Sequence, residues 1–119
     1  MARILVADDE SDIRELLKEL LENAGHVVMT AQDGEEAFSL YEKGRFDIGI
    51  FDVDMPRMNG LDLTKKIKAA QPEFPIILIT AYSHLYNASE VLLLGIEAFL
   101  RKPVNIKQIL ELVDQVKSS

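Results

Sequence analysis

The sequence predicts an α/β fold in which helices cover both faces of a parallel sheet, and two observations carry this prediction. Five short apolar segments alternate along the chain with five segments whose apolar residues recur every three or four positions. Short, wholly apolar segments are typical of strands buried on both faces, and the longer period is typical of amphipathic helices. The connections are short, without a linker, repeat or low-complexity stretch. Residues 1–119 are therefore expected to form a single doubly wound domain.

The first strand–helix unit opens the chain. Arg3–Ala7 is apolar after its first residue and is predicted to be a buried strand that ends in an acidic cluster. Steps of three and four then predict an amphipathic helix with apolar residues at Ile13, Leu16, Leu17, Leu20, Leu21 and Ala24. Ser11 or Asp12 is expected to cap the start of this helix, and Gly25 fits just past its end.

Two further units follow in the same pattern. Val27–Ala31 is predicted to be the second strand, and the pair Asp33-Gly34 is expected to turn the chain. The central strand is predicted at about 46–52, before a loop that contains a Pro and an Asn-Gly pair. The helices after these strands are marked by two sets of residues, Ala37, Phe38 and Tyr41 in the first and Leu61, Thr64, Ile67 and Lys68 in the second.

The last two units complete the alternation. Ile76–Thr80 is predicted to be a strand with no polar residue before its end, and 97–101 is predicted to be a short strand. A helix is predicted at 88–94, where the run 91–94 is apolar on every face and is expected to lie mainly in the core. Asn105 is expected to cap the final helix, whose apolar face is Ile106, Ile109, Leu110, Val113 and Val116.

Polar side chains stand at the carboxyl ends of four of the five strands. Asp8 and Asp9 follow the first strand, Asp52 ends the third, Thr80 ends the fourth and Lys102 follows the fifth. Since the carboxyl ends of parallel strands share one edge, these side chains are expected to converge there. An acidic first unit and a third strand that ends in Asp suit the flavodoxin-like strand order 2-1-3-4-5.

The expected cluster of carboxylates predicts a divalent cation. Neighbouring carboxylates repel one another, and Mg²⁺ relieves that conflict while it keeps room for water and a phosphate oxygen. A zinc site is disfavoured, because the sequence has no Cys and only two separated His. The Lys102 ammonium and the Thr80 hydroxyl suit phosphoryl oxygens, and a carboxylate beside them can accept a phosphoryl group.

The composition excludes several other classes of protein. The formal net charge is −7 and there is no basic run, which argues against direct binding of nucleic acid. No apolar run is long enough to span a membrane, and the N-terminus is unlike a signal peptide. The absence of Cys agrees with a cytoplasmic protein.

These residues together resemble the receiver domain of bacterial two-component response regulators over nearly the full chain. The matching pieces are Asp8-Asp9, the block Asp52-Val-Asp-Met-Pro-Arg-Met-Asn-Gly60, Thr80-Ala81, Phe99 and Lys102-Pro103. Each piece is weak by itself, but all of them occur in the expected order at the ends of predicted strands. In the family the bond equivalent to Lys102-Pro103 is often cis, as a tertiary amide permits.

The resemblance implies a role for each residue. Asp52 is the phosphoacceptor, Thr80 and Lys102 contact the phosphoryl group, and Phe99 is an aromatic switch whose inward turn accompanies movement of Thr80. The implied Mg²⁺ ligands are Asp8, Asp9, Asp52 and Asp54, of which Asp9 is the more direct acid of its pair and Asp54 acts through its backbone carbonyl. The implied surface that changes lies around helix 4, strand 5 and helix 5.

The resemblance also implies the partners. A sensor histidine kinase or a histidine phosphotransfer protein supplies the phosphoryl group, and a downstream effector protein or a phosphorylation-dependent homodimer receives the signal. Such a domain is not an enzyme beyond its own phosphoryl transfer and dephosphorylation. The chain ends directly after its last predicted helix, so a stand-alone receiver and a receiver cut from a longer regulator both fit.

Two other functions compete with this one. Asp52-Val-Asp54 resembles the nucleophile motif of haloacid dehalogenase phosphatases, although that motif lies on the first strand of those proteins and the metal acids follow it. The chain also fits a pseudo-receiver, which keeps the fold as an interaction module but is never phosphorylated.

Overall fold

The computed structural model describes residues 1–118, which form one five-stranded sheet with five α-helices around it. The strands are β1 (Arg3–Ala7), β2 (Val27–Ala31), β3 (Ile48–Asp52), β4 (Ile76–Thr80) and β5 (Ala98–Arg101). The helices are α1 (Ser11–Asn23), α2 (Gly34–Lys43), α3 (Gly60–Ala70), α4 (Ala88–Leu92) and α5 (Ile106–Ser118). A short 3-10 helix, Ser83–Leu85, lies between β4 and α4.

All strand pairs are parallel, and the order across the sheet is β2-β1-β3-β4-β5. This order confirms the prediction of a doubly wound, flavodoxin-like fold. Successive strand side chains point to opposite faces, so the sheet has two apolar cores. Phe51 and Leu78 pack with α3 on one face, while Ile50 and Ile77 pack with α1 and α5 on the other.

The strand register aligns the carboxyl ends of the inner strands. Ala7 lies opposite Phe51, and Asp52 lies opposite Ile79. Every residue of β3 and of β4 is buried, including the polar residue that ends each strand. The sheet therefore delivers the end of β3 to the middle of one edge, flanked by the ends of β1 and β4.

The ends of several helices correct the sequence predictions. Helix α1 begins at Ser11 and its N-cap is Glu10, which makes no side-chain capping bond, so neither Ser11 nor Asp12 is the cap. The Asp8 carboxylate accepts the Glu10 amide proton instead, at 2.9 Å. Gly25 follows α1 with φ +96°, as expected. Asp33 acts as the N-cap of α2 by accepting the Glu36 amide proton at 2.9 Å, rather than as part of a separate turn.

Helix α4 is shorter than predicted, since it ends at Leu92 rather than at residue 94. The apolar run 91–94, which was expected to lie mainly in the core, is divided between the core and the surface. Val91 is 6% exposed, whereas Leu92 is 47% exposed and Leu93 is 85% exposed, so the core prediction is wrong for these two leucines. Strands β3 and β5 also begin slightly later than predicted, at Ile48 and Ala98. The N-cap prediction for α5 is confirmed by a 3.2 Å bond from the Gln108 amide to the Asn105 side chain.

Two further observations complete the description. The Lys102-Pro103 bond is cis, as the resemblance implied. Within residues 1–118, no helix combines the length and the apolar character that crossing a membrane requires.

Candidate functional site

Asp52 lies at the centre of the strand-end edge and is only 2% exposed. Its Oδ1 accepts the backbone N–H of Asp54 at 3.0 Å, and its Oδ2 lies 3.0 Å from Lys102 Nζ. Burial raises the pKa of Asp52 to about 7, and the charge of Asp8 adds to the rise, whereas the Asp54 amide and the Lys102 ammonium oppose it. The carboxylate is thus held in a desolvated position where a counter-charge strongly affects its ionisation.

Lys102 supplies that counter-charge. Its Nζ lies 3.0 Å from Glu10 Oε1, 3.0 Å from Asp52 Oδ2 and 3.1 Å from Asp8 Oδ2. Burial alone would lower the pKa of Lys102, but its interactions with the Glu10, Asp52 and Asp8 carboxylates raise it above its ordinary value. Lys102 therefore remains an ammonium and partly neutralises the acids when no metal is bound.

A group of carboxylates surrounds this ammonium. Within residues 1–118, Asp8, Asp9, Glu10 and Asp52 can each offer an oxygen such that all four oxygens lie within 4.8 Å of one another. Asp8 is fully buried, and its Oδ2 forms an ion pair with Lys102 Nζ at 3.1 Å but accepts no hydrogen bond from residues 1–118. A buried oxygen without a donor, within a set of hard oxygen ligands, fits Mg²⁺.

The acids open onto a cavity of about 310 Å³ that reaches solvent. Its lining combines the end of β3 with residues from four strand–helix connections, and the lining residues are Asp9, Glu10, Asp52, Asp54, Ala81, Tyr82 and Lys102. Asp9 and Glu10 are exposed, whereas Asp52 forms the buried end of the site. The volume admits water and a phosphoryl-sized anion beside the carboxylates.

Thr80 is completely buried at the end of β4, and its hydroxyl faces Asp54. It donates to Asp54 Oδ2 at 2.6 Å and accepts the Tyr82 amide proton at 3.0 Å. The hydroxyl of Tyr86 donates to the other oxygen, Asp54 Oδ1, at 2.8 Å. Burial, together with this bond to a carboxylate, raises the pKa of Tyr86 to about 12, so the hydroxyl keeps its proton.

Phe99 is half-buried on β5 and belongs to the apolar core that includes Phe51. Its ring meets the ring of Tyr86 edge to face, with 6.2 Å between the centroids and an angle of 78°. Phe99 thus contacts the site through Tyr86, whose hydroxyl reaches Asp54.

The structure gathers most of the predicted site residues at one edge. Asp8, Asp9, Asp52 and Lys102 form a single cluster, and Thr80 lies beside it. The Asp54 side chain points to two hydroxyls instead of joining the acid cluster, while the prediction for Asp54 concerned its backbone carbonyl. The individual roles assigned to these residues stay predictions.

Sequence reasoning missed two residues of the site. Glu10 contacts Lys102 and joins the acid cluster, and its position directly after Asp8-Asp9 was a usable signal. Tyr86 lies 32 positions from Asp54, and no local pattern connects the two.

Comparison with known proteins identifies the family. Residues 4–114 match the response regulator receiver domain. The chain belongs to this family. It is similar to Protein CcdB of Bacillus subtilis, with 35% identity over 117 residues that cover 98% of each chain. The response regulator protein TrrA of Thermotoga maritima, solved in complex with Mg(2+)-BeF, has a TM-score of 0.88 and 39% identity, covering 98% of this chain and 99% of its own.

Several relatives are longer regulators. The alkaline phosphatase synthesis transcriptional regulatory protein PhoP of Bacillus subtilis is 35% identical over 107 residues, which are 90% of this chain but 45% of PhoP. The chain thus spans about half of that relative. Receiver domains of two-component systems are, as a family, signalling switches that are activated by phosphorylation of an aspartate and bind Mg²⁺ at an acidic pocket. This chain is a receiver domain, and its four-acid cluster fits that description. The haloacid dehalogenase alternative receives no support from these similarities.

Proposed function

We propose that Asp52 accepts the phosphoryl group from a phosphohistidine of a sensor histidine kinase or a histidine phosphotransfer protein. One observation carries the proposal: a buried carboxylate at a strand end lies 3.0 Å from an ammonium and shares its pocket with three further acids. In the transfer, a carboxylate oxygen of Asp52 forms a bond to phosphorus. The P–N bond breaks, and the imidazole nitrogen keeps the electron pair.

Each neighbouring residue has a part in this transfer. Asp8, Asp9 and Asp52, with the Asp54 backbone carbonyl, would hold Mg²⁺, and Glu10 stands close enough to assist. When bound, Mg²⁺ neutralises carboxylate charge and favours the anionic phosphoryl group in this pocket. Lys102 exchanges its contacts with the carboxylates for contacts with phosphoryl oxygens. The cavity is open to solvent, so that water can later hydrolyse the acyl phosphate in the domain's own dephosphorylation.

The signal leaves the site through Thr80 and Phe99. The new charge attracts the Thr80 hydroxyl, the residues between β4 and α4 follow it, and the Phe99 ring turns inward. The surface around α4, β5 and α5 then changes its affinity for a downstream effector protein. The exposed Leu92 and Leu93 belong to this surface and suit an apolar contact, including one with a second copy of the phosphorylated chain.

The proposal extends to the setting of the protein. Residues 1–119 act as a single receiver domain without direct contact to nucleic acid, in agreement with the net charge of −7. A cytoplasmic location follows from the proposed phosphodonors and agrees with the absence of Cys.

The test uses acetyl phosphate as a small phosphodonor in the presence of Mg²⁺. Intact mass spectrometry should show that the wild type gains one phosphoryl group and that Asp52→Asn gains none. Asp12→Asn, an exposed acid in the first turn of α1, is the matched control and should be labelled like the wild type. Equal labelling of Asp52→Asn would overturn the assignment of the acceptor. An unlabelled wild type would favour a pseudo-receiver, and continuous phosphoester turnover would favour a phosphatase.

A further inference from the structure

The Asp54 carboxylate connects two hydroxyls that stand at opposite ends of one segment. Its Oδ2 accepts from Thr80, the last residue of β4, at 2.6 Å, and its Oδ1 accepts from Tyr86 at 2.8 Å. Residues 81–87 between β4 and α4, called here the β4–α4 segment, contain only one short 3-10 helix and are mostly exposed. One carboxylate on the loop after β3 therefore fastens both ends of a segment that has little secondary structure.

Other hydrogen bonds of the β4–α4 segment are local in the described part of the chain. The Leu85 amide donates to the Tyr82 carbonyl, and the Tyr86 amide donates to the Ser83 carbonyl. The rings of Tyr82 and His84 lie near one another, 6.5 Å apart, and both residues are exposed. The bond from the Tyr86 hydroxyl to Asp54 is different because it joins the segment to another part of the domain.

Thr80 cannot keep its present bond and also donate to a phosphoryl group. A hydroxyl carries one proton, and here that proton is directed to Asp54. If Asp52 is the acceptor, as proposed above, the phosphoryl oxygens must compete with the Asp54 carboxylate for Thr80. Hydrogen bonds to a charged acceptor are stronger than those between neutral groups. Breaking the Thr80–Asp54 bond therefore costs free energy, which weakens binding of the phosphoryl group by a measurable amount.

Tyr86 links the Asp54 carboxylate to a second region of the surface. Its ring packs against Phe99, and it lines a separate cavity of about 290 Å³ together with Leu61 and Lys65 of α3 and Glu90 of α4. Tyr86 thus lines this cavity while its hydroxyl is bound to Asp54, which lines the cavity of the candidate site. A movement of Thr80 away from Asp54 removes one of the two bonds that keep the segment in place.

We infer that Asp54 and Tyr86 are positioning residues that hold the β4–α4 segment in its unphosphorylated arrangement and so oppose activation. The inference rests on the proposed function, since it concerns what phosphorylation of Asp52 must displace. It predicts that removal of the Tyr86 hydroxyl increases the population of the active arrangement. A ligand that selects this arrangement then binds more tightly by the same factor.

The test measures binding of beryllofluoride with Mg²⁺, a mimic of the phosphoryl group, by isothermal titration calorimetry. Tyr86→Phe is expected to bind about tenfold more tightly than the wild type, the change that corresponds to one hydrogen bond to a charged group. Tyr41→Phe is the matched control, because the Tyr41 hydroxyl makes a bond of the same length, 2.8 Å, to the Gln71 side chain. Its affinity should equal that of the wild type.

The possible outcomes separate this inference from the proposed function. Wild-type or weaker affinity in Tyr86→Phe overturns the inference, even when it comes with a lower unfolding temperature, because a purely structural role predicts that combination. Asp54→Asn, which weakens the same bond from the acceptor side and leaves the Tyr86 ring against Phe99, decides the question if Tyr86→Phe fails to fold, and it too should bind beryllofluoride more tightly than the wild type. A wild type that neither binds beryllofluoride nor accepts a phosphoryl group overturns the proposed function instead.

Discussion

The backbone N–H of Lys102 donates a hydrogen bond to the backbone carbonyl of Thr80 at 2.8 Å. This bond continues the pairing of β4 and β5 past the match of Thr80 with Arg101. The main chain that carries the hydroxyl and the ammonium is thus fixed by the sheet, while their side chains have different partners, Asp54 for Thr80 and the acid cluster for Lys102. Activation as proposed therefore requires the Thr80 hydroxyl and the Lys102 ammonium to change partners while the main chain that carries them stays in place.

Replacement of Lys102 by Met should destabilise the metal-free protein. The change leaves Asp8 and Asp52 buried together without a cation, and removal of one partner from a buried ion pair typically costs about 3–5 kcal/mol. Urea unfolding in the presence of a chelator measures the loss, and added Mg²⁺ should restore part of it. Lys18→Met removes a solvent-exposed pair with Glu22 and should cost less than about 1 kcal/mol. Equal costs for the two variants would contradict the prediction.

Asp52 should make the stability of the metal-free protein depend on pH. Its carboxyl has an ordinary pKa of 3.8 and a pKa of about 7 in the folded protein. Between these values the folded state binds the proton that the unfolded state has released, so this group lowers the free energy of unfolding as the pH rises. The loss is on the order of a few kcal/mol and is complete above pH 7.

The measurement compares the wild type with Asp52→Asn, which has no such titration, by urea unfolding at several pH values with a chelator present. The wild type should lose stability relative to the variant from about pH 4 to about pH 7. If the difference in the free energy of unfolding between the two proteins stays constant over this pH range, the environment of Asp52 does not disfavour its charged form.

The fold could be predicted well where the pattern is local. Strand β4 was predicted to the residue, because an unbroken apolar run follows Pro75 and ends at Thr80. The end of α4 was not predicted correctly, because an apolar residue fits a helix and the turn after it equally well. In the structure the helix stops at Leu92, and the Gly95 amide bonds to the Leu92 carbonyl at 3.0 Å.

The candidate site likewise has features that the sequence could predict and features that it could not. The convergence of the acids with Lys102 could be predicted, because the topology of a parallel sheet brings the strand ends to one edge. The direction of the Asp54 side chain could not be predicted. Its hydrogen-bond partners, Thr80 and Tyr86, lie 26 and 32 positions away, and they determine which rotamer Asp54 adopts. The resemblance supplied the backbone role of Asp54 but said nothing of Tyr86.

Mg²⁺ affinity should depend on Asp9 much more than on other exposed acids. Asp9 belongs to the four-acid cluster and faces the cavity, so Asp9→Asn removes a charged oxygen ligand. We expect the affinity to fall about tenfold or more, measured by calorimetric titration with Mg²⁺. Asp12→Asn removes a nearby exposed charge outside the cluster and should change the affinity little. If both variants lose affinity equally, the cation is attracted by net charge and not held at this site.

Gly60 should be required for the geometry of the acceptor. Its amide donates to the Val53 carbonyl at 3.0 Å, and a Cβ at this position would overlap the Asp52 carbonyl oxygen and lie 2.9 Å from the Val53 Cα. These are backbone atoms that cannot rotate away, so Gly60→Ala must displace the chain that carries Asp52. We expect a loss of about 1–3 kcal/mol in urea unfolding and slower labelling of Asp52 by acetyl phosphate.

The control for Gly60 is Gly25→Ala, at the opposite edge of the sheet. Gly25 has open space around its Cβ position but a φ of +96°, so alanine there costs about 1–2 kcal/mol through backbone strain alone. The two variants should therefore lose similar stability, while only Gly60→Ala is labelled more slowly. Because overall destabilisation is matched, a labelling defect confined to Gly60→Ala assigns the effect to the position of the acceptor strand end. Equal labelling rates would mean that the loop after β3 accommodates the extra methyl group without moving Asp52.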